Sequence, residues 1–93
     1  MTTTTLKGHK YAQAHINYYN SGNVELISYT TEILKVNNEG WLYYNPIHYT
    51  KTTIKHIGWF MKELYGLSYQ HVKWVKENNL LFNVLTGEVI RRV

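Results

Sequence analysis

Between Thr50 and Gly66 the chain carries its clearest helical signal, and this segment constrains the fold more than any other. The Thr50 hydroxyl can accept from the free amides of Thr52 or Thr53, no proline interrupts the segment, and Gly66 supplies a left-handed stop. At about 100° per residue, Ile54, Ile57, Met61, Leu64 and Tyr65 fall within about 100° of one another, the stripe an amphipathic helix buries. On the same projection Lys51, Lys55, Trp59 and Lys62 gather into an arc of about 80° on another side, three ammonium groups around one indole. Gly58 sits inside the helix at a cost of about 1 kcal/mol relative to alanine, which predicts that another element approaches closely there.

A buried helical stripe needs a partner, and the flanking sequence offers strands. Val24 to Val36 is rich in β-branched and aromatic residues and reads as one long strand with a bulge near Ser28. Asn37-Asn38-Glu39-Gly40 then supplies turn residues, Trp41 to Tyr44 returns as a second strand, and Pro46 stops it. Leu80 to Val93 reads as two short strands about a Thr86-Gly87 turn. Ser68 caps a second, shorter helix to Asn78, with Leu67 stapling onto Val72; Val72 and Val75 face inward with Trp74 as a further candidate, and Lys73 and Lys76 face solvent.

The expected architecture is therefore α+β: an antiparallel sheet from two hairpins packed against a central amphipathic helix, with a second short helix. From Leu6 to Tyr19 two patterns compete. Tyr11, Ala14, His15 and Tyr18 recur at helical spacing, while Ile16, Tyr18 and the Asn20-Ser21-Gly22-Asn23 turn suit a hairpin arm, and the helix is the reading preferred here. Residues 1–5 are expected to fray because nothing in them can be buried, leaving 6–93 as a single domain. A chain of 93 residues hides only about 60 to 65% of its unfolded surface and supports one core. So small a domain also leaves room for a homodimer that hides further apolar area.

Charge narrows the partners. Ten Lys and Arg against six acidic residues, all of them Glu, give a net charge of +4, which favours a polyanion or an acidic protein and also serves plain solubility. Protonation of the five histidines would tighten binding to an anion at low pH. Nine tyrosines suit a surface that touches something, since each pairs a ring with a wet hydroxyl. Without cysteine there are no disulfides, thiolate nucleophiles or cysteine-rich zinc sites. No apolar run approaches the roughly 20 residues of a membrane span and Met1 to Thr5 lacks a signal-peptide core, so no membrane partner is expected and the cytoplasm is the expected location.

Ser28-Tyr29-x-Thr31-x-Ile33, a glycine turn, a Tyr-rich strand and then Tyr49-Thr50-x-Thr52-Thr53-x-Lys55-His56-Ile57 resembles a group of small bacteriophage proteins. In these a Tyr-x-Thr-x-Ile segment precedes a Tyr-Ser-x-Thr-Thr-x-(Lys/Arg)-His helix start, so Thr52, Thr53, Lys55 and His56 carry over, with Thr50 where serine is usual. The similar part spans about a third of the chain, from Tyr29 to Ile57. The resemblance implies a phage origin, host-cell cytoplasm as the location, and action on host machinery or defences, an anti-CRISPR role among them. A CRISPR effector or other host nuclease complex is the partner it implies.

Residue chemistry points to RNA or single-stranded nucleic acid. Lys51, Lys55, Trp59 and Lys62, then Lys73, Trp74 and Lys76, then Arg91 and Arg92 interleave cations with rings; stacking contributes about 1 to 3 kcal/mol per base and ammonium groups attract phosphates without sequence choice. The competing reading makes both tryptophans core and the lysines merely solvated. A protein-only inhibitor or interaction module would use Trp41, Tyr43, Tyr44 and Tyr49 as anchors, the same residues that could wall the core.

Catalysis has less behind it. His48, His56 and His71 are the imidazoles of a histidine-dependent ribonuclease reading, but nothing in their spacing forces two together, and a non-enzymatic protein is expected. His9 and His15, or His48 and His56, do not match an i, i+4 ligand pair, so no metal site is expected. The glycines stand singly rather than in a phosphate loop, so no cofactor is expected either.

Overall fold

The computed structural model describes residues 1–92; Val93, which the sequence reading puts at the end of the second hairpin, lies outside them. Seven strands form one antiparallel sheet in simple chain order: β1 (Thr2–Thr5), β2 (Ala14–Tyr18), β3 (Val24–Ser28), β4 (Thr31–Val36), β5 (Trp41–Tyr44), β6 (Leu80–Asn83) and β7 (Val89–Arg91). Two helices, α1 (Lys51–Tyr65) and α2 (Tyr69–Glu77), enter between β5 and β6. The α+β class and the sheet-on-helix packing stand as expected, with more strands than the two hairpins foreseen.

Register assigns the two faces. Ile16 lies opposite Leu26, Leu26 opposite Leu34, Val36 opposite Leu42, and Leu42 opposite Phe82, a continuous apolar band. These side chains form one core with Ile57, Phe60 and Met61 of α1 and Val72 and Val75 of α2. Cross-strand apolar pairs on one face are the unit that stabilises such a sheet. On the opposite face, Thr3, Asn17, Glu25, Lys35 and Tyr43 make a polar row across five strands. Thr3 Oγ1 donates to Asn17 Oδ1 at 2.8 Å and Asn17 Nδ2 donates to Glu25 Oε1 at 2.8 Å.

The run from Val24 to Val36 is two strands, not one. A single strand of that length at roughly 3.4 Å per residue would reach about 44 Å, more than the molecule's longest dimension of 37 Å. The chain instead turns at Tyr29-Thr30, with Ser28 opposite Thr31. Tyr29 adopts φ 58°, a left-handed value that two-residue hairpin loops normally give to Gly or Asn. The bulge falls between Leu26 and Ile27, one residue from the expected place, and lets both Ile33 and Leu34 be buried.

The N-terminal third also departs from expectation. Residues 2–5 are not a frayed end but edge strand β1, with all four threonines exposed, and the segment from Ala14 is strand β2, not a helix. Backbone pairing to β2 needs no buried side chain, so hydropathy could not reveal it, while fully buried Leu6 pins the end of the strand. The apparent helical spacing dissolves because Tyr11 is exposed in a loop while Ala14 and Ile16 alternate into the core.

The helix boundaries match their signals. Thr50 Oγ1 accepts from the Thr53 amide at 3.2 Å, and Gly66, at φ 66°, donates its amide to the Lys62 carbonyl. The buried face is rotated from the projected stripe: Thr53, His56 and Phe60 are buried with Ile57 and Met61, whereas Ile54, Leu64 and Tyr65 are half-buried. Gly58 has open space where a Cβ would stand, so the expected close neighbour is absent. Gly40 does require its glycine: at φ 97°, a Cβ there would meet Asn83 Oδ1 and the Leu85 side chain.

Candidate nucleic-acid interface

The α1 surface brings together what the projection grouped. Lys51, Lys55 and Lys62 are exposed and Trp59 is half-buried beside them. Positions 51, 55, 58 and 62 follow the i, i+4, i+7, i+11 row of a helix, so Gly58 interrupts the lysine row with bare backbone. Among the described residues the one salt bridge joins Lys73 to Glu77 at 4.0 Å, so none of the three α1 lysines has a carboxylate within that distance. Three unpaired cations flank an indole and an open stretch of helix.

The loop between β1 and β2 completes this surface. His9 lies flat on Trp59, ring centroids 3.6 Å apart and planes 9° from parallel, and Trp59 meets His56 at 5.7 Å in a tilted arrangement. The Glu63 carboxylate accepts the Lys7 backbone amide and ties the loop to α1. Two hollows open beside the His9-Trp59 pair. One, of about 520 Å³, is lined by the loop from Thr5 to Ala12 with Trp59; the other, of about 460 Å³, by Lys7, His9, Trp59, Lys62 and Glu63. Volumes of this size fall in the range of small-molecule clefts.

Beneath the indole, buried His56 shares a hydrogen bond between its Nδ1 and Ser28 Oγ at 2.7 Å. Burial holds His56 below the usual imidazole range, and the nearby His9 adds to the shift. A neutral imidazole here ties the β3-β4 turn to α1. The other imidazoles of the ribonuclease reading lie elsewhere: His48 is exposed before α1, and His71 accepts the Ser68 amide on its Nδ1 at 3.2 Å, capping α2.

The remaining predicted residues stand on other elements. α1 contacts β3 and α2 contacts β6, with the two helices also touching, so Lys73, Trp74 and Lys76 lie on the neighbouring helix and Arg91 and Arg92 at the end of β7. Trp74 is exposed, and Lys73 reaches Glu77. Lys76 Nζ donates to the Ile47 carbonyl at 2.6 Å and lies 3.7 Å from the centre of the Tyr49 ring. Arg92 sits 5.7 Å from the Tyr44 ring and Arg91 ends exposed strand β7. Of the protein-anchor set, Trp41 is half-buried and Tyr43 exposed on the open sheet face. Tyr49 is no surface anchor. It is 7% exposed and donates its hydroxyl to the Asn45 carbonyl at 2.9 Å, and burial pushes its pKa up to about 12. Half-buried Tyr44 packs beside the same core.

Sequence reasoning missed Lys7, His9 and Lys10. The signal was present as a Lys-Gly-His-Lys-Tyr run between two core residues, Leu6 and Ala14, but the preferred helix hid it.

Fold and surface together define a seven-stranded antiparallel α+β protein with a basic-aromatic helix laid on one sheet face. No family model, curated protein or solved structure matches the chain. Among the described residues, no helix is long and apolar enough to cross a membrane.

Proposed function

We propose that this protein is a non-enzymatic module that binds RNA or single-stranded DNA along α1. The observation that carries the reading is the placement of half-buried Trp59 beside Lys51, Lys55 and Lys62, three exposed ammonium groups with no carboxylate partner among the described residues. Gly58 leaves bare backbone between them, room for a phosphodiester to lie close to the helix. Such a surface attracts a flexible strand by counterion release and holds it by stacking, with little sequence choice. Interference with a host nuclease complex, an anti-CRISPR-like role, is the biological setting implied by the resemblance to phage proteins, and it rests on that resemblance.

Titrating a labelled single-stranded RNA at several salt concentrations tests the reading. Three phosphate contacts on α1 predict a log-log slope near −2, about 0.7 per contact. A protein that shows no shift of the RNA at micromolar concentration and low salt removes it. A protein-only interaction module is the second reading, favoured by the open sheet face where Tyr43 and Ile90 are exposed next to Trp41 and Leu81. Charge reversal at Lys51 and Lys55 would leave such a partner bound.

A further inference from the structure

The stack of His9 on Trp59 has the form of a base on a ring, made by the protein with its own side chain. We infer that His9 occupies the seat of a nucleobase: a base of a bound single strand displaces the imidazole from Trp59, while Lys7, Lys10 and Lys62 hold the adjoining phosphates. The inference rests on the nucleic-acid reading above and adds the subsite, the residues that build it and the group that must leave.

The geometry supports an exchange. The rings are 3.6 Å apart and 9° from parallel, the face-on arrangement that base-aromatic stacking uses. His9 rides on a loop whose neighbours Lys7, Gly8, Lys10 and Tyr11 are all exposed, and among the described residues its ring makes no hydrogen bond, so the stack is what holds it. The loop itself stays anchored when the ring leaves. Leu6 is fully buried at one end, Ala14 is buried at the other, and the Lys7 amide is held by Glu63.

Charge then orients the ligand. The larger hollow, about 520 Å³, carries Lys7, His9 and Lys10 with no carboxylate on its wall, whereas the smaller one carries Glu63 beside Lys7 and Lys62. A phosphate is favoured more in the first, where no carboxylate opposes it, than in the second, where Glu63 stands beside Lys7 and Lys62. A purine or pyrimidine covers more of an indole than an imidazole does and arrives with phosphates attached, so it outcompetes His9 once a strand is held on α1.

Removing the competitor must therefore strengthen binding, which a contact residue would not do. In a Trp41→Phe, Trp74→Phe background, Trp59 is the one tryptophan, and its fluorescence, excited beyond the tyrosine band, reports the stack directly. Oligouridylate should quench it, and His9→Ala or His9→Gln should bind oligouridylate roughly 2- to 10-fold tighter, the exchange of one aromatic pair. Trp59→Ala should bind roughly 5- to 100-fold more weakly. An abasic phosphodiester strand should bind both His9 variants and the parent equally.

Two results overturn the inference alone: oligouridylate binds but both His9 variants leave its affinity unchanged or lower it, or they tighten the abasic strand as much as oligouridylate. If neither the parent nor the His9 variants bind oligouridylate or the abasic strand, the nucleic-acid reading itself falls.

Discussion

Two helices of this protein carry lysine and tryptophan in similar proportion, yet their surroundings differ. On α1, Lys51, Lys55 and Lys62 reach solvent without a carboxylate partner among the described residues, and Trp59 is matched by a loop histidine. On α2, Lys73 pairs with Glu77, and Lys76 is fixed by the Ile47 carbonyl and the face of Tyr49. A cation that already has a carbonyl and a ring must lose both to meet a phosphate; a solvated one loses only water. The difference teaches that basic-aromatic composition does not make a binding face by itself, because lysines are engaged by neighbours on one helix and stand available on the other, while the exposed ring is Trp74 and the covered one Trp59.

The largest expected effect is on the α1 side. Replacing Lys51, Lys55 and Lys62 together with Gln should lower affinity for single-stranded RNA at low salt by about 100-fold and flatten its salt slope by about 2. The matching change of Lys73 and Arg91 should alter either quantity little; equal losses from both sets would erase the distinction between the helices. Tryptophans offer a sharper version. Trp59→Ala should cost roughly 5- to 100-fold in affinity, while Trp74→Ala, at an exposed position on α2, should stay within about twofold.

Stability should show the reverse order. Lys76→Met removes a hydrogen bond and a cation-ring contact, so chemical denaturation should report a loss of about 1 kcal/mol with RNA affinity unchanged. Lys55→Met should leave stability within about 0.5 kcal/mol. A gain, not a loss, is expected at Gly58. With open space at its Cβ position, Gly58→Ala should stabilise α1 by about 0.5 to 1 kcal/mol. A loss instead would mean that the helix backbone there is more crowded than its surroundings indicate.

Acid response separates the α1 side from the open sheet face. His56 is held below the usual imidazole value by burial, so the folded state takes up its proton later than the unfolded chain does; its contribution is present above the unfolded value near 6.5 and is lost as pH falls through the folded one. On the sheet face, Glu32 is raised to about 7, first by its hydrogen bond to Glu25, then by burial. Its contribution has the opposite sign: complete below the unfolded value of 4.5 and lost as pH rises toward 7. Glu25 is lowered, chiefly by the same bond, and loses its contribution on acidification. Glu32→Gln should therefore steepen the loss of stability between pH 7 and 5, and His56→Asn should flatten it, as thermal unfolding at each pH would report.

Much of this arrangement was readable beforehand, for identifiable reasons. Helix caps at Thr50 and Gly66, the turn at Asn37 to Gly40 and the second helix from Ser68 are local devices, written in a few adjacent residues. The lysine row on α1 follows from helical spacing alone. By contrast, the turn at Tyr29-Thr30 has no turn residues to announce it; Tyr29 accepts a left-handed φ because the apolar pairs Val24-Val36 and Leu26-Leu34 form only if the chain folds back. Strand β1 is four threonines whose partner strand begins beyond a loop, so its pairing has no local signature.

By itself the sequence determined the two helices, their caps, the class of fold and the presence of a cationic row around an indole, because each depends on contacts within a turn or two of chain. Only the tertiary structure decided that Lys76 and Tyr49 are spent on packing, that Phe60 and His56 join the core, and that His9, fifty positions before Trp59, lies on its ring. Those outcomes depend on which surfaces meet when the sheet closes over the helices, and residues far apart in the chain carry no local mark of that meeting.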